Sequence, residues 1–207
     1  MSSNVRMIWI TPNCEKHIVY CARVSSPNQE NPDYTKLIKY LIKHKHWSPM
    51  EMGSLCVEIT TSVAIAAQIL RHKSFSFQQF SARYSKVQTC ELFEARRQDA
   101  KNKQNSIDDM SEADKDWFEQ AQNDVIQLST IKYEEALNRN VAKELARFLL
   151  PQSATTKMYM SGSIRSWLHY CDVRCDKSTQ LEHREIAEKV KTILFDHVPT
   201  IAEAMDW

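Results

Sequence analysis

The segment 71–85 holds an unusual density of side chains that donate hydrogen bonds. Its cations, hydroxyls and amides can surround phosphate oxygens with charge-assisted hydrogen bonds. On an extended chain Ser81 and Arg83, which are two residues apart, would face the same way. A solvated polar loop is the ordinary alternative, although the aromatic residues in the segment count slightly against a mere linker. The segment is therefore a candidate anion-binding site. Its polar residues are Arg71, His72, Lys73, Ser74, Ser76, Gln78, Gln79, Ser81, Arg83, Tyr84 and Ser85.

The composition limits how such a site can be built. The chain has 207 residues, enough for one well-packed domain and short for two, so we predict a single domain over 1–207. A net charge of +1 gives no general attraction to nucleic acids or acidic membranes, so an anion must be bound by a local cluster of basic residues. Because Gly53 and Gly162 are the only glycines, no glycine-rich phosphate loop can form. Side chains must therefore hold any nucleotide.

Cysteine usage and the N-terminal residues indicate the compartment. Six cysteines are spread along the chain, and the N-terminus lacks the apolar core of a secretory signal. No apolar run approaches the length that spans a bilayer. We therefore expect a cytoplasmic protein with free thiols, in a reducing environment and with no membrane partner.

Hydrophobic periodicity predicts the elements that position the segment 71–85. Ser62 is a suitable N-cap for an almost wholly apolar helix over 63–72, which places the first cations of the segment at its last turn. Apolar residues alternate with polar ones over 55–60, as in a half-buried strand. The N-terminal part adds a strand over 5–10 and an amphipathic helix from 34 to about 46.

The middle of the chain is polar and then helical. The stretch 96–110 mixes charges of both signs and is predicted to be an exposed loop. Ser111 and Asp114 resemble a capping box, and apolar residues continue from there at helical spacing. A second helix over about 141–149 stops at Pro151.

The C-terminal part adds one strand and two helices. The strand is predicted over 156–161, and Ser163 and Ser178 are the predicted N-caps of the helices. The buried stripe of the last helix is predicted to include Leu181, Ile186, Val190 and Ile193. We therefore predict an α+β fold: a single domain with a small, largely antiparallel twisted sheet packed against several helices, including long C-terminal helices.

The spacing within 71–85 resembles the signature segment of the flavin-dependent thymidylate synthases. That signature is Arg-His-Arg, seven residues, then Ser, usually continuing to Arg-Tyr-Ser. This chain has Arg71-His72-Lys73, seven residues, then Ser81, followed by Arg83-Tyr84-Ser85. It departs from the family at Lys73, which stands for Arg, and at Gln79, which stands where the family usually has Glu.

Further blocks resemble the same family in the right order from about residue 20 to 187, which makes coincidence a poor explanation. They are Cys21-Ala22-Arg23-Val24-Ser25, His44-Lys45-His46-Trp47-Ser48-Pro49-Met50-Glu51, Ala146-Arg147-Phe148-Leu149-Leu150-Pro151, Ser163-Ile164-Arg165-Ser166-Trp167-Leu168-His169 with Arg174, and Gln180-Leu181-Glu182-His183-Arg184.

The resemblance implies an enzyme that makes dTMP from dUMP by reductive methylation. Methylenetetrahydrofolate would give the one-carbon unit and FADH2 the hydride, with NADPH reducing the flavin. The family needs no cysteine nucleophile, so the resemblance requires none of the six thiols to be catalytic. It implies a homotetramer in which FAD lies where subunits meet.

The same resemblance implies one catalytic residue, Arg174. A fixed guanidinium there would stabilise the N3-deprotonated pyrimidine, which raises the electron density at C5. The plain alternative is a surface arginine paired with Asp172 or Asp176.

The resemblance also implies two sets of binding residues. Three of these residues have a structural alternative. Gln68 could instead satisfy a backbone group, and Arg147 could be a cation that interacts with the end of a helix. His169 could be a buried structural histidine. Gln79 removes a negative charge near the anionic ligand, and so we expect it to tighten phosphate binding. The residues implied for dUMP are Gln68, Arg71, Gln79, Ser81, Ala82, Arg83, Arg147 and Arg174. Those implied for FAD are Ser48, Arg71, His72, Lys73, Gln79, Ser163, Arg165 and His169, of which Ser163 and His169 are often asparagine in the family.

Two other classes of protein compete with this interpretation. His169, Cys171 and Cys175 lie close enough for a zinc site, but no second pair follows, and on a helix His169 and Cys171 would point about 200° apart. Basic residues interleaved with phenylalanines suggest a nucleic-acid-binding module, but the charge is near neutral and no basic stripe extends along the chain. We therefore expect neither a metal nor a nucleic acid.

Overall fold

The protein contains a four-stranded antiparallel sheet. A computed structural model describes residues 3–87 and 89–207. The order of the strands in the sheet is β1-β2-β6-β3, and every neighbouring pair is antiparallel. The strands are β1 Asn4–Ile10, β2 Ser54–Ser62, β3 Ser76–Gln79 and β6 Thr155–Ser163.

Eight helices and a short hairpin complete the described residues. The hairpin pairs β4 (Arg97–Gln98) with β5 (Ser106–Ile107). Two 3₁₀ turns occupy Ser48–Met52 and Arg147–Leu149. The helices are α1 Cys14–Ala22, α2 Thr35–Lys43, α3 Val63–Ile69, α4 Glu112–Asn138, α5 Lys143–Ala146, α6 Ile164–Arg174, α7 Leu181–His197 and α8 Pro199–Ala204.

One face of the sheet forms the floor of the hydrophobic core. Alternate residues of the two central strands point inward and are fully buried, because successive side chains on a strand leave opposite faces. Examples are Val57 and Ile59 on β2 and Met158 and Met160 on β6. Trp167 of α6 packs onto this floor, and its Nε1 donates to the Leu55 carbonyl at 3.0 Å. The predicted α+β fold with a small antiparallel sheet is confirmed.

Gly162 lets an aromatic ring approach the sheet. A Cβ at this position would lie 2.5 Å from Cδ1 of Phe75, which is far inside van der Waals contact. The ring of Phe75 packs in turn against Trp167, with centroids 4.6 Å apart. The absence of a side chain at residue 162 therefore brings the segment after α3 close to α6.

Three of the four predicted serine N-caps are confirmed. Ser62 accepts from the Ile65 amide at 3.3 Å, and Ser111 and Ser163 make the equivalent contacts at the starts of α4 and α6. The cap predicted at Ser178 is wrong. Its hydroxyl donates to Asp176 at 2.6 Å instead, so α7 begins at Leu181, after the turn that this contact closes.

The buried stripe of α7 is more polar than predicted. Ile186 and Val190 are buried as expected, but Leu181 and Ile193 are only half-buried. Glu182 and His183 occupy buried positions at the start of the helix. The helix therefore presents a charged group and an imidazole to the interior.

The segment 96–110, predicted to be an exposed loop, is the β4–β5 hairpin with its flanks. Most of its residues are exposed, but the Arg96 side chain is largely buried and pairs with Glu182. The helix that follows has the predicted start, yet of the residues described in α4 Tyr133 alone is buried. None of the described helices is long and apolar enough to cross a membrane.

Candidate active site

Arg174 is the last residue of α6, and its guanidinium is held by His72. Its Nε donates to His72 Nε2 at 2.9 Å. Burial, with the nearby charges of Arg174, His169 and Arg71, lowers the pKa of His72 to about 4. A neutral imidazole is therefore the acceptor near pH 7, and among the described residues this is the hydrogen bond that the guanidinium makes. In the described part of the chain Arg174 contacts His72, and not Asp172 or Asp176 as the alternative required.

Two buried side chains, Tyr170 and His183, lie beside the His72 ring. Its ring lies edge-on to Tyr170, with centroids 4.9 Å apart. The Tyr170 hydroxyl and His183 Nε2 are 3.1 Å apart, in hydrogen-bond contact. Burial, together with the Arg174 and His72 charges, lowers the pKa of His183 to about 3, and burial raises the pKa of Tyr170. We call Arg174, His72, Tyr170 and His183 the Arg174 cluster.

The sequence interpretation gave Tyr170 and His183 no role. A signal for His183 existed, because it stands three residues before Ile186 and seven before Val190. That spacing puts it on the buried face of the helix. A polar side chain on such a face has a partner inside the protein.

Four of the residues implied for dUMP line one cavity. This cavity, of about 570 Å³, lies between β3, β6 and the 3₁₀ turn after α5, and we call it the Arg147 cavity. Gln79 Nε2 donates to the Thr156 hydroxyl at 3.2 Å. The Arg147 side chain is exposed; its Nε donates to the Glu144 carbonyl at 3.1 Å, and its guanidinium lies 5.4 Å from the Phe148 ring centroid. The four residues are Gln79, Ser81, Ala82 and Arg147.

Ser81 and Arg83 were expected to face the same way on an extended chain, but the chain is not extended there. The chain turns after β3 rather than staying extended, because the Ser81 carbonyl accepts from the amides of Tyr84 and Ser85 at 3.1 and 3.2 Å. Ser81 lines the Arg147 cavity, while Arg83 is exposed and lies 3.5 Å from Glu144.

Two of the residues implied for FAD line a second cavity. It has a volume of about 420 Å³, and we call it the His169 cavity. Arg165 pairs there with Glu51 at 3.1 Å, and the Trp47 ring forms part of the wall. His169 is exposed, so the alternative of a buried structural histidine is wrong.

Of the other residues implied for FAD, Gln79 lines the Arg147 cavity and His72 belongs to the Arg174 cluster, while the rest lie on elements beside the His169 cavity. Ser163 caps α6, Ser48 begins the first 3₁₀ turn, and Arg71 and Lys73 are exposed in the turn after α3. An aromatic wall beside several cations suits a planar ring system joined to a pyrophosphate, so these residues fit a flavin dinucleotide.

A larger cavity, of about 810 Å³, contains none of the residues implied for either ligand. It is lined by the β4–β5 hairpin and the start of α7, and we call it the Arg96 cavity. A chain of hydrogen bonds leads from its wall to Gln68, whose Nε2 donates to Gln180 Oε1 at 2.6 Å. Gln68 therefore engages a side chain, not the backbone group that was its alternative. These contacts join positions far apart in sequence, and no local pattern indicated them.

The suggested zinc ligands are not arranged as a metal site. Cys171 is buried, and its Sγ contacts the Ala187 carbonyl at 3.8 Å, while His169 faces its cavity. Within 3–87 and 89–207 there is no group of three or more His, Cys, Asp or Glu residues that could hold a metal ion.

Comparison with known proteins defines the class. Residues 6–200 match the model of the family described as thymidylate synthase complementing protein. The chain is 58% identical over 190 residues to a flavin-dependent thymidylate synthase of Synechocystis sp., covering 92% of this chain and 88% of that protein. It is 46% identical over 196 residues to a probable flavin-dependent thymidylate synthase of Paramecium bursaria Chlorella virus 1, covering 93% and 91%.

The fold has solved relatives too. A UMP/dUMP methylase of Streptomyces cacaoi, bound with 5-Br dUMP, has a TM-score of 0.89 and 22% identity, covering 99% of this chain and 95% of that one. At that identity the likeness concerns the fold. The sequence matches are decisive: the chain belongs to the family of flavin-dependent thymidylate synthases. The predicted resemblance and the predicted class of flavin-dependent enzyme are thereby confirmed.

Proposed function

We propose that this enzyme makes dTMP from dUMP, with methylenetetrahydrofolate as the one-carbon donor. The proposal rests on membership of the family and on the relatives' names, which describe them as flavin-dependent thymidylate synthases. When bound, FADH2 supplies the hydride, and NADPH is the proposed reductant of the flavin. The protein's own contribution is to bind, orient and polarise the pyrimidine.

The hydrogen bond between Arg174 and His72 is the observation that carries the proposal. Because His72 is a neutral acceptor, it fixes the guanidinium without cancelling its positive charge. A fixed, uncancelled cation can stabilise negative charge that develops on the ring when N3 loses its proton. The electron density at C5 then rises, and C5 is the atom that must attack the one-carbon unit.

We propose that the Arg147 cavity holds the nucleotide. Gln79, Ser81, Ala82 and Arg147 line it, and the exposed guanidinium of Arg147 is suited to a bidentate phosphate contact. The contributions of Gln68, Arg71 and Arg83 to the same ligand remain part of this proposal. FAD is proposed to bind along the His169 cavity, through Arg165, His169 and the residues on the elements beside it.

No cysteine nucleophile is part of this mechanism. Burial raises the pKa of Cys56 and Cys90, and burial together with Glu15 raises that of Cys14 to about 12. The half-buried Cys175 is the exception, because its hydrogen bond with Cys171 lowers its pKa. The described linings of the three cavities contain no thiol. A buried thiol with a raised pKa is a poor nucleophile because the thiolate is the reactive form. Replacing each cysteine in turn with serine is expected to leave the methylation chemistry intact.

We propose a homotetramer in the cytoplasm, or in the host cytoplasm if the source is a virus. The residues implied for the ligands lie in two separate cavities and in the Arg174 cluster of one chain. Facing copies can complete each site by bringing these regions together. The long helix α4 leaves Trp117, Val125, Leu128 and Ile131 exposed, an apolar row that suits such contacts. The six cysteines are free thiols, as a reducing compartment favours.

The experiment is tritium release from C5-tritiated dUMP, with methylenetetrahydrofolate, NADPH and FAD. The purified protein is expected to be yellow, and Arg174→Ala is expected to lose turnover while it still folds. Arg139→Ala is the matched control, because Arg139 is exposed at the end of α4 and pairs with Glu135. Full turnover by Arg174→Ala, or no tritium release from the wild type, would overturn the proposal.

A further inference from the structure

A continuous chain of side-chain hydrogen bonds links Gln68 to the β4–β5 hairpin. Gln68 Nε2 donates to Gln180 Oε1 at 2.6 Å, and Gln180 Nε2 donates to Glu182 Oε2 at 2.8 Å. The other oxygen, Glu182 Oε1, accepts from Arg96 at 2.5 Å. Arg96 Nε in turn donates to the Ser106 hydroxyl at 3.0 Å. The chain therefore runs from the Ser106 hydroxyl, through the guanidinium of Arg96 and the carboxylate of Glu182, to the carboxamides of Gln180 and Gln68.

The Arg96–Glu182 ion pair determines which group donates and which accepts in every hydrogen bond of this chain. An ionised carboxylate can only accept, so the group of Gln180 that faces Glu182 must be the amide NH₂. The Gln180 oxygen then faces Gln68, and only the NH₂ of Gln68 can meet it. The carboxamide oxygen of Gln68 is left pointing away from the chain. Turning over either amide would place two acceptors, or two donors, against each other.

The ion pair that sets the direction is protected from solvent. Side-chain exposures are 14% for Arg96 and 12% for Glu182, low enough for the pair to stay closed. Burial acts to raise the pKa of Glu182, but the hydrogen bonds from Arg96, its own backbone amide and Gln180 hold it below the ordinary value. Gln180 itself is exposed, so its side chain adds little to packing.

We propose that Gln180 is a positioning residue that, with Arg96 and Glu182, fixes Gln68 as a hydrogen-bond acceptor for the bound nucleotide. This inference rests on the proposed function, in which Gln68 contacts dUMP. Its ligand partner must then be a donor. Before N3 loses its proton, dUMP offers two: the N3–H of the ring, which can only donate, and the 3′-hydroxyl of the sugar, which can also accept. The enzyme would use Gln68 to select nucleotides that carry this donor.

The test compares the Kd of dUMP with the Kd values of its N3-methyl and 3′-deoxy analogues, measured by calorimetry on the FAD-loaded enzyme. For the wild type, the analogue that lacks the relevant donor is expected to bind roughly tenfold or more weakly, because it leaves an acceptor unpaired. In Gln180→Leu the Gln68 amide can turn over and offer its NH₂ instead. If the partner is N3–H, which can only donate, the weakening caused by N3-methylation is then expected to shrink, and dUMP itself to bind several-fold more weakly. A 3′-hydroxyl could turn and accept from the NH₂, so a 3′-deoxy analogue that stays equally weakened in this variant would count against selection of a donor.

A second variant and a control separate positioning from folding. Arg96→Met removes the charge that fixes Glu182, so it is expected to reduce the same ratio of the analogue Kd to the dUMP Kd. Combining Gln180→Leu with Arg96→Met is expected to reduce that ratio little further. Gln104→Leu alters an exposed glutamine on the wall of the Arg96 cavity and is expected to keep the wild-type penalty. A purely structural role for Gln180 would lower stability but leave the analogue penalty unchanged.

Two outcomes overturn the inference alone: equal binding of all three nucleotides to the wild type, or an unchanged penalty in both Gln180→Leu and Arg96→Met. Failure of the wild type to bind dUMP at all would instead overturn the proposed function, and this inference with it.

Discussion

Arg174 and His72 are 102 residues apart in the chain, yet Nε of the first donates to Nε2 of the second at 2.9 Å. The contact joins the end of α6 to the turn that follows α3. Because the His72 ring also lies edge-on to Tyr170, its orientation is fixed on two sides. His72 thus sets the direction of the guanidinium, a role beside the flavin contact that the family resemblance implies.

Removing the acceptor at residue 72 should therefore slow the chemical step. His72→Phe keeps a ring against Tyr170 but offers nothing to Arg174, and we expect kcat for tritium release to fall about 10- to 100-fold. His72→Gln places an amide oxygen near the former Nε2 and should retain more of the activity. FAD content is measured in both variants, so that a loss of flavin is separated from a loss of orientation. Equal rates for the two variants at equal FAD content would contradict this role.

The two histidines of the Arg174 cluster should make the fold sensitive to mild acid. The pKa values of His72 and His183 are about 4 and 3 in the folded protein, against 6.5 for an ordinary histidine. Between pH 6.5 and 4 the unfolded chain therefore binds more protons than the native one, so stability falls as the pH falls. Each such proton contributes about 1.4 kcal/mol per pH unit.

Urea unfolding at fixed protein concentration, from pH 7 to pH 4.5, measures the slope of the free energy of unfolding against pH. His183→Gln retains a partner for Tyr170 but cannot take up a proton, and so should flatten it. The exposed His17→Gln is the control and should leave it unchanged. A slope that is the same in all three proteins would mean that these imidazoles do not govern the acid sensitivity.

Adding a methyl group at Gly162 should destabilise the protein through one specific contact. The new Cβ would lie 2.5 Å from the Phe75 ring, which is itself packed against Trp167 and cannot move freely. We expect Gly162→Ala to cost about 1–3 kcal/mol in the free energy of unfolding. Phe75→Leu should relieve part of that cost, so the double variant should be more stable than the sum of the single effects predicts. Strict additivity in thermal or urea unfolding would show that the contact is not the cause.

Local signals in the sequence were enough to predict most of the elements. Ser62 and Ser163 cap their helices because a hydroxyl can satisfy an amide three residues later, which requires nothing from the rest of the chain. The alternation in β2 and β6 likewise reflects a buried face that each strand carries in its own residues. At Ser178 the hydroxyl donates to Asp176 instead of capping the helix, and so α7 begins later, at Leu181.

The site could be predicted only in part, because its decisive contacts join distant residues. Family spacing identified Arg174, but nothing local to it indicated that His72 would hold its guanidinium. Arg96 lies in a charge-rich stretch that is typical of a solvated loop, and its burial depends on Glu182, 86 residues further along the chain. Such pairs follow from the way α7 and the hairpin meet, which is a tertiary property.

The last prediction concerns Gln79, where the chain departs from its family. Gln79 lines the Arg147 cavity and donates to the Thr156 hydroxyl at 3.2 Å. In Gln79→Glu the Thr156 hydroxyl can become the donor, so the fold should survive, but a negative charge then faces the proposed phosphate site. We expect dUMP to bind about 3- to 10-fold more weakly at low ionic strength, and the difference to shrink at 0.5 M salt as the charges are screened. Calorimetric titration at both salt concentrations measures this, with Gln78→Glu on the neighbouring, exposed position of β3 as the control. Equal affinity of Gln79→Glu and wild type at low salt would show that the missing charge does not strengthen phosphate binding.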